Sequence, residues 1–229
     1  MAGNVQNNNL YLVNHFPPRE LIPDINKFIL LYIIIMNRKS KLLPPVIWLI
    51  GMPGVGKSSI ATLLRSKLKD HSNNQIVIDT DTDNHFKDID GEVLAPGDWI
   101  EKFGIDAFRK QERHIMEYII SRLRPYSECF IIATGGGLPC YEDNMDLINE
   151  IGISIWIKPT DEAFDLICTK LASDKSRPIT QQSPEAIKEL MNKRTPFYSK
   201  ATYTITSQHK TPEDDVQQIM KLFSDQGII

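Results

Sequence analysis

Cysteine is scarce in this chain, with only Cys129, Cys140 and Cys168 in 229 residues. They are scattered, show no metal-ligand spacing and cannot all pair. A disulfide scaffold and a thiolate metal site are therefore excluded, and a reducing, cytoplasmic setting is expected. Charge of one sign is also lacking. A formal net charge of −3 gives no bulk attraction to nucleic acid or to an anionic membrane. No internal repeat is visible, and only Asn7-Asn8-Asn9 is of low complexity. An apolar run long enough to cross a bilayer is missing too. Phe28 to Met36 reads FILLYIIIM, fewer than half of the about twenty apolar residues a spanning helix needs. An Asn-rich, mixed-charge stretch precedes it where a secretory signal would have a short basic start, and an organelle transit peptide would be richer in Arg and Ser. No stable membrane insertion is expected. Because Met36 stands just before the basic Asn37-Arg38-Lys39-Ser40-Lys41, translation from Met36 would leave residues 1–35 as an upstream extension. A docking or membrane-surface helix is the alternative. Residues 1–43 are read as an N-terminal extension outside the core, and 44–229 as one domain of ordinary size and apolar content.

What the chain does have starts at Gly51. Gly51-Met52-Pro53-Gly54-Val55-Gly56-Lys57-Ser58 fits G-x-x-x-x-G-K-[ST]. Pro44-Pro45 punctuate the chain, Val46–Ile50 reads as a buried strand, and Ser59 onward continues as a helix, which is the context the pattern requires. The glycines let backbone N–H groups curl around a polyphosphate, and the helix N-terminus adds its positive dipole end. Lys57 would reach the outer phosphates, and the Ser58 hydroxyl would ligate Mg²⁺. The pattern predicts a nucleoside triphosphate site.

From Val46 onward, short apolar runs alternate with helical patterns, which predicts βαβ units around a parallel sheet. The runs are Val46–Ile50, Ile76–Ile78, Phe130–Ala133, Ile153–Ile157 and Tyr203–Thr206. Thr211-Pro212 and Ser183-Pro184 read as helix starts, each an N-cap followed by proline in the first turn. After Thr211, Val216, Ile219, Met220 and Phe223 recur at helical spacing. Another helix is predicted over about 105–123, with Ile105, Phe108, Ile115, Met116 and Ile119 on its apolar face.

In an open parallel sheet, ligands sit beyond the carboxyl ends of the strands, so the residues after each run matter. Asp79-Thr80-Asp81 follows the second run. One carboxylate could hold Mg²⁺ while the other orients and deprotonates an acceptor hydroxyl. An acidic turn is the plainer reading, and Asp81/Asp83 a possible alternative register. Gly135-Gly136-Gly137 follows the third run and fits close approach of a ligand to the main chain, or a flexible turn. Arg109 and Glu112 are i, i+3 neighbours, which by itself predicts an ordinary surface ion pair. Ser173 to Pro178 is polar without apolar anchors and reads as a mobile lid or a plain loop. Lys193-Arg194 near the end of a helix also complements its dipole.

Taken in order, GMPGVGKSS, DTD, FRKQE, GGG, RP and KRTPFYSKA resemble the shikimate kinase family over about residues 44–224. The resemblance implies a P-loop fold like that of the nucleoside monophosphate kinases, with a five-stranded parallel sheet flanked by helices and a mobile lid. It implies a monomeric small-molecule kinase that uses ATP with Mg²⁺ to phosphorylate the 3-hydroxyl of shikimate. Gly51, Gly54, Val55, Gly56, Lys57, Ser58, Ser59, Lys170 and Arg177 would bind the nucleotide, and Ser58 and Asp79 the metal. Asp81, Arg109, Gly135, Gly136, Gly137 and Arg194 would hold shikimate, with the two arginines on its carboxylate. Lys57, Asp81 and Arg177 would be catalytic, Asp81 as the base. The sequence departs from the family pattern in three places. The stretch between Asp81 and Arg109 is longer and more acidic and lacks the Ile-Glu that commonly follows the Asp-x-Asp. Lys170 stands about where the family often has an adenine-stacking arginine. The lid reads Arg177-Pro178-Ile179-Thr180 in place of Arg-Pro-Leu-Leu. A kinase for another small carboxylated polyol, such as gluconate, and a catalytically silent nucleotide-binding module are the rival readings.

Overall fold

The computed structural model describes residues 46–69, 75–81, 86, 93–123, 129–173 and 183–229. The runs predicted as strands are all strands: β1 Val46–Ile50, β2 Gln75–Asp79, β3 Cys129–Ala133, β4 Ile153–Pro159 and β5 Tyr203–Ser207. They form one sheet in the order β2-β3-β1-β4-β5, with every pairing parallel. Parallel strands need crossovers, and the crossover helices cover the faces of the sheet. Both β1 and β3 are therefore buried along their whole length, which explains why they read as unbroken apolar runs rather than alternating ones.

Among the described residues the helices are α1 Lys57–Lys67, α2 Pro96–Phe103, α3 Ile105–Ser121, α4 Asn144–Ile151, α5 Asp161–Ser173, α6 Pro184–Tyr198 and α7 Pro212–Asp225, with a 3₁₀ turn at Leu138–Cys140. The two proline-led starts are capped as expected. The Ser183 hydroxyl accepts from the Ala186 amide at 3.3 Å and the Thr211 hydroxyl from the Asp214 amide at 3.2 Å. Val216, Ile219 and Phe223 are buried on α7 against the sheet.

Helix α3 differs from its expected form in one respect. Phe108, Ile115, Met116 and Ile119 are buried, but Ile105 is 43% exposed. It is the first residue of the helix, after Gly104 at φ +85°, and so precedes the turn that packs against the core. The short α2 before it has no counterpart in the sequence reading. Its Trp99 packs with Phe86, Phe103 and Phe108 in an aromatic cluster, a contact between distant residues that local periodicity does not reveal. The expected lid, with Arg177, falls in 174–182 and lies outside the described residues, as do the extension at 1–43 and Asp83. Among the described residues, no helix is long and apolar enough to cross a membrane.

Candidate functional site

The strand order reverses direction around β1, because the chain leaves it for α1 and later returns to place β3 and β4 on its two sides. A crevice beyond the carboxyl ends of these strands is the expected ligand site of such a sheet. Every described residue singled out for phosphate, metal or acceptor binding, except Lys170, stands on a segment that leaves this edge or faces it.

The loop from Gly51 to Gly56 joins β1 to α1. Gly56 is the N-cap of α1 at φ +89°, a conformation that glycine alone adopts without strain, and no side chain caps the helix start. The first amides of α1 are left to a ligand, as an anion site requires. Lys57 is buried, and its ammonium donates to the carbonyls of Gly51 at 3.0 Å and Met52 at 2.8 Å. Both contacts hold the charge over the loop. Ser58 and Ser59 are exposed in the first turn. Gly54 lies against Ile167 and Leu171 of α5, so the helix carrying Lys170 packs on the phosphate loop, with Lys170 itself exposed.

Asp79 closes β2. Its carboxylate accepts from the Ser58 hydroxyl and, at 3.0 Å, from the Asp81 amide. One side chain therefore ties the start of α1 to the turn that carries Asp81. A hydroxyl and a carboxylate meeting at the end of a phosphate loop are hard oxygen donors. Among the described residues, no group of three or more His, Cys, Asp and Glu gathers to hold a metal. This sparse donor set fits Mg²⁺, which takes one or two protein ligands and fills its sphere with water and phosphate oxygens.

The Gly135–Gly137 triplet is buried and is not a flexible turn. The Gly135 amide donates to the Thr80 hydroxyl at 2.8 Å, which fixes the triplet to the β2 turn. A methyl group on Gly135 would collide with carboxylate oxygens of Glu112 and Asp81. On Gly136 it would meet Pro53 at 2.6 Å and Arg194 at 3.0 Å, and on Gly137 it would fall on the Arg109 guanidinium. Three consecutive positions thus touch the acidic turn, the phosphate loop and both arginines. Only residues without a side chain allow that convergence.

Arg109 and Glu112 form the expected pair, but not on the surface. Glu112 is 1% exposed, and its Oε2 accepts from Arg109 while Oε1 has no hydrogen-bond partner. Burial raises its pKa from 4.5 to about 7, opposed by the Arg109 charge and reinforced by Asp81. Arg194 on α6 is 6% exposed. Among the described residues it makes no salt bridge, and it donates to the Met52 sulfur at 3.8 Å. Helix α6 continues past Pro196 to Tyr198, whose hydroxyl donates to the Gly136 carbonyl at 2.6 Å. Burial pushes the Tyr198 hydroxyl pKa well up, so it stays a neutral donor. Glu112, Tyr198, Met52 and Thr80 are site residues that sequence reasoning left without a role. The i, i+3 spacing and the tyrosine were visible, whereas their burial was not.

The shikimate kinase family model matches residues 53–224. A shikimate kinase from Azobacteroides pseudotrichonymphae genomovar. CFP2 is 35% identical over 182 residues, covering 76% of this chain and 96% of that protein. One from Sulfurihydrogenibium sp. (strain YO3AOP1) is 31% identical over 174 residues, covering 76% and 95%. Among solved structures, shikimate kinase from Acinetobacter baumannii in complex with shikimate superposes with a TM-score of 0.65 at 26% identity, over 80% of this chain and 94% of that one. Shikimate kinase from Aquifex aeolicus gives 0.59 at 27% identity, over 78% and 96%.

Proposed function

The chain belongs to the shikimate kinase family, and from that premise we infer that it transfers the γ-phosphoryl group of ATP to the 3-hydroxyl of shikimate, giving 3-phosphoshikimate. The observation that carries this reading is the glycine triplet, which touches the phosphate loop at Pro53, the acidic turn at Asp81 and the two arginines in three successive residues. A phosphoryl donor and a small carboxylated acceptor bound there would be in reach of each other.

In this reading the amides of the Gly51–Ser58 loop, Val55 and Gly56 among them, cradle the phosphates. Lys57 exchanges its two carbonyl partners for phosphate oxygens, where its charge balances what develops on the transferred group. Arg109 and Arg194 hold the acceptor carboxylate, with the Gly136 and Gly137 main chain alongside. A guanidinium fork suits a carboxylate better than an ammonium point charge does. Asp81 orients the 3-hydroxyl and takes its proton as the oxygen bonds to phosphorus and the bond from phosphorus to the bridging oxygen of ADP breaks. Ser58 and Asp79 would hold Mg²⁺, which when bound neutralises charge on the phosphates. Lys170 is assigned to the nucleotide side as a weaker stand-in for a stacking arginine, and Arg177 to the phosphoryl group. Little covalent chemistry is asked of the protein, because positioning and charge do most of the work.

Steady-state kinetics with ATP and Mg²⁺, varying shikimate or gluconate, test the assignment. The wild type should favour shikimate. Arg194→Lys should raise the shikimate KM at least about tenfold, corresponding to about 1.4 kcal/mol, and barely move that for ATP. Asp81→Asn should lower kcat far more than it weakens binding. Better turnover of gluconate, or a loss of ATP affinity in Arg194→Lys, would overturn the substrate while leaving the kinase reading intact. ATP turnover unaffected by either acceptor would favour a silent nucleotide-binding module.

A further inference from the structure

Met52 occupies a variable position of the phosphate loop and has no part in cradling phosphate through its side chain. That side chain is 1% exposed and points across the crevice. Its sulfur accepts from the Arg194 guanidinium at 3.8 Å and lies 3.8 Å from the Tyr198 hydroxyl oxygen, whose proton goes to the Gly136 carbonyl. Its carbonyl, meanwhile, accepts from Lys57 at 2.8 Å. We propose that Met52 is a positioning residue for the acceptor site, its thioether fixing Arg194 and Tyr198 so that the phosphate loop and the carboxylate clamp are aligned as one unit.

The chemistry favours a thioether here. A buried arginine is normally paired with a carboxylate, and such a partner orients it but also neutralises it. Arg109, half-buried, takes its orientation from a carboxyl group, Glu112. Arg194 is oriented by a weak, uncharged acceptor, which directs the guanidinium and leaves its charge for an incoming anion. Tyr198 extends the same contact, since its hydroxyl spans the sulfur and the Gly136 carbonyl and its ring packs on Trp156, 5.8 Å away. The peptide expected to face the acceptor carboxylate is thereby tied to the loop expected to hold the donor. Neither Met52 nor Tyr198 needs to touch a substrate for this.

This inference rests on the assignment of Arg194 to the shikimate carboxylate. Met52→Leu keeps the volume but removes the acceptor, and Tyr198→Phe removes the hydroxyl with the ring kept. Each should raise the shikimate KM about fivefold, with kcat at saturating shikimate and the ATP KM within about twofold of wild type, as a loss of uniform binding requires. Because both act through one sulfur, the double variant should fall well short of the about 25-fold that independent effects would give. Thermal melts accompany the kinetics, and both substitutions are conservative enough to leave a folded enzyme. A shikimate KM unchanged in Met52→Leu, shikimate and ATP KM values that rise together, or a fully multiplicative double variant would each overturn the inference while the wild type still phosphorylates shikimate. A wild type inert toward shikimate would overturn the functional reading itself, and the inference with it.

Discussion

Glu112 and Arg109 stand one turn apart on α3, and burial changes what each can do. On the surface such a pair is worth a few tenths of a kcal/mol. With Glu112 1% exposed, ionising the carboxyl carries a desolvation cost that the Arg109 charge only partly offsets. Its pKa in the folded chain, about 7, lies above its ordinary 4.5. Between these values the folded protein keeps a proton that the unfolded chain has released. Stability should therefore fall as pH rises through that window, and level off above it. Glu112→Gln cannot titrate, so the melting temperature of the wild type, taken relative to this variant, should drop between pH 5 and pH 8. The drop should be roughly 4–8 °C if the cost is about 2 kcal/mol. A difference that stays flat with pH would show that Glu112 does not carry the proton. Lys57 makes a second residue-scale case. Lys57→Ala should lower kcat on the order of a hundred- to thousand-fold, with the melting temperature little changed, because the Gly51 and Met52 carbonyls it meets are not acceptors that α1 needs. Near wild-type turnover would remove Lys57 from the phosphoryl site.

At the scale of elements, the glycines after β3 and before β4 look alike in sequence but serve different ends. Gly135 abuts carboxylate oxygens of Glu112 and Asp81, whereas Gly152 abuts the main-chain carbonyl of Val46 at the start of β1. A methyl group on Gly135 pushes on side chains that can turn away, and Asp81 is one of them. Gly135→Ala should then lower kcat/KM for shikimate by about a hundredfold, as an ångström of misplacement can, with only a small change in melting temperature. A methyl group on Gly152 pushes on backbone between paired strands. Gly152→Ala should cost about 1–3 kcal/mol of stability while the molecules that remain folded keep their turnover. Denaturation and kinetics on both variants check this contrast, which would fail if Gly135→Ala unfolded and Gly152→Ala lost only activity. Helix α2, which the sequence reading did not name, depends on the packing of Trp99 and Phe108 around Phe86, which brings together residues separated by a long polar stretch.

At the scale of the whole molecule, the site gathers segments from along most of the described chain, from Gly51 to Tyr198, so ligands that bridge them should stabilise the fold as a unit. A ligand at a hundred times its Kd adds about 2.7 kcal/mol, or roughly 5–10 °C for a chain of this size. Shikimate with a nonhydrolysable ATP analogue should raise the melting temperature by that much, and gluconate should not. An equal shift with gluconate would count against the acceptor assigned. The sequence by itself determined the glycine-rich loop between β1 and α1, the five strands and the proline-capped helices, and it singled out most of the residues that the fold brings to the crevice. Those features are local, because a glycine pattern, an apolar run or a cap states its chemistry within a few neighbouring residues. Only the tertiary structure decided that Glu112 of the Arg109–Glu112 pair is buried, that three glycines touch three walls of one crevice, and that a methionine of the phosphate loop meets Arg194 and Tyr198. Met52 and Arg194 lie 142 residues apart, and nothing in either neighbourhood encodes the contact. The sheet order places β1 between β3 and β4, and that order brings them together.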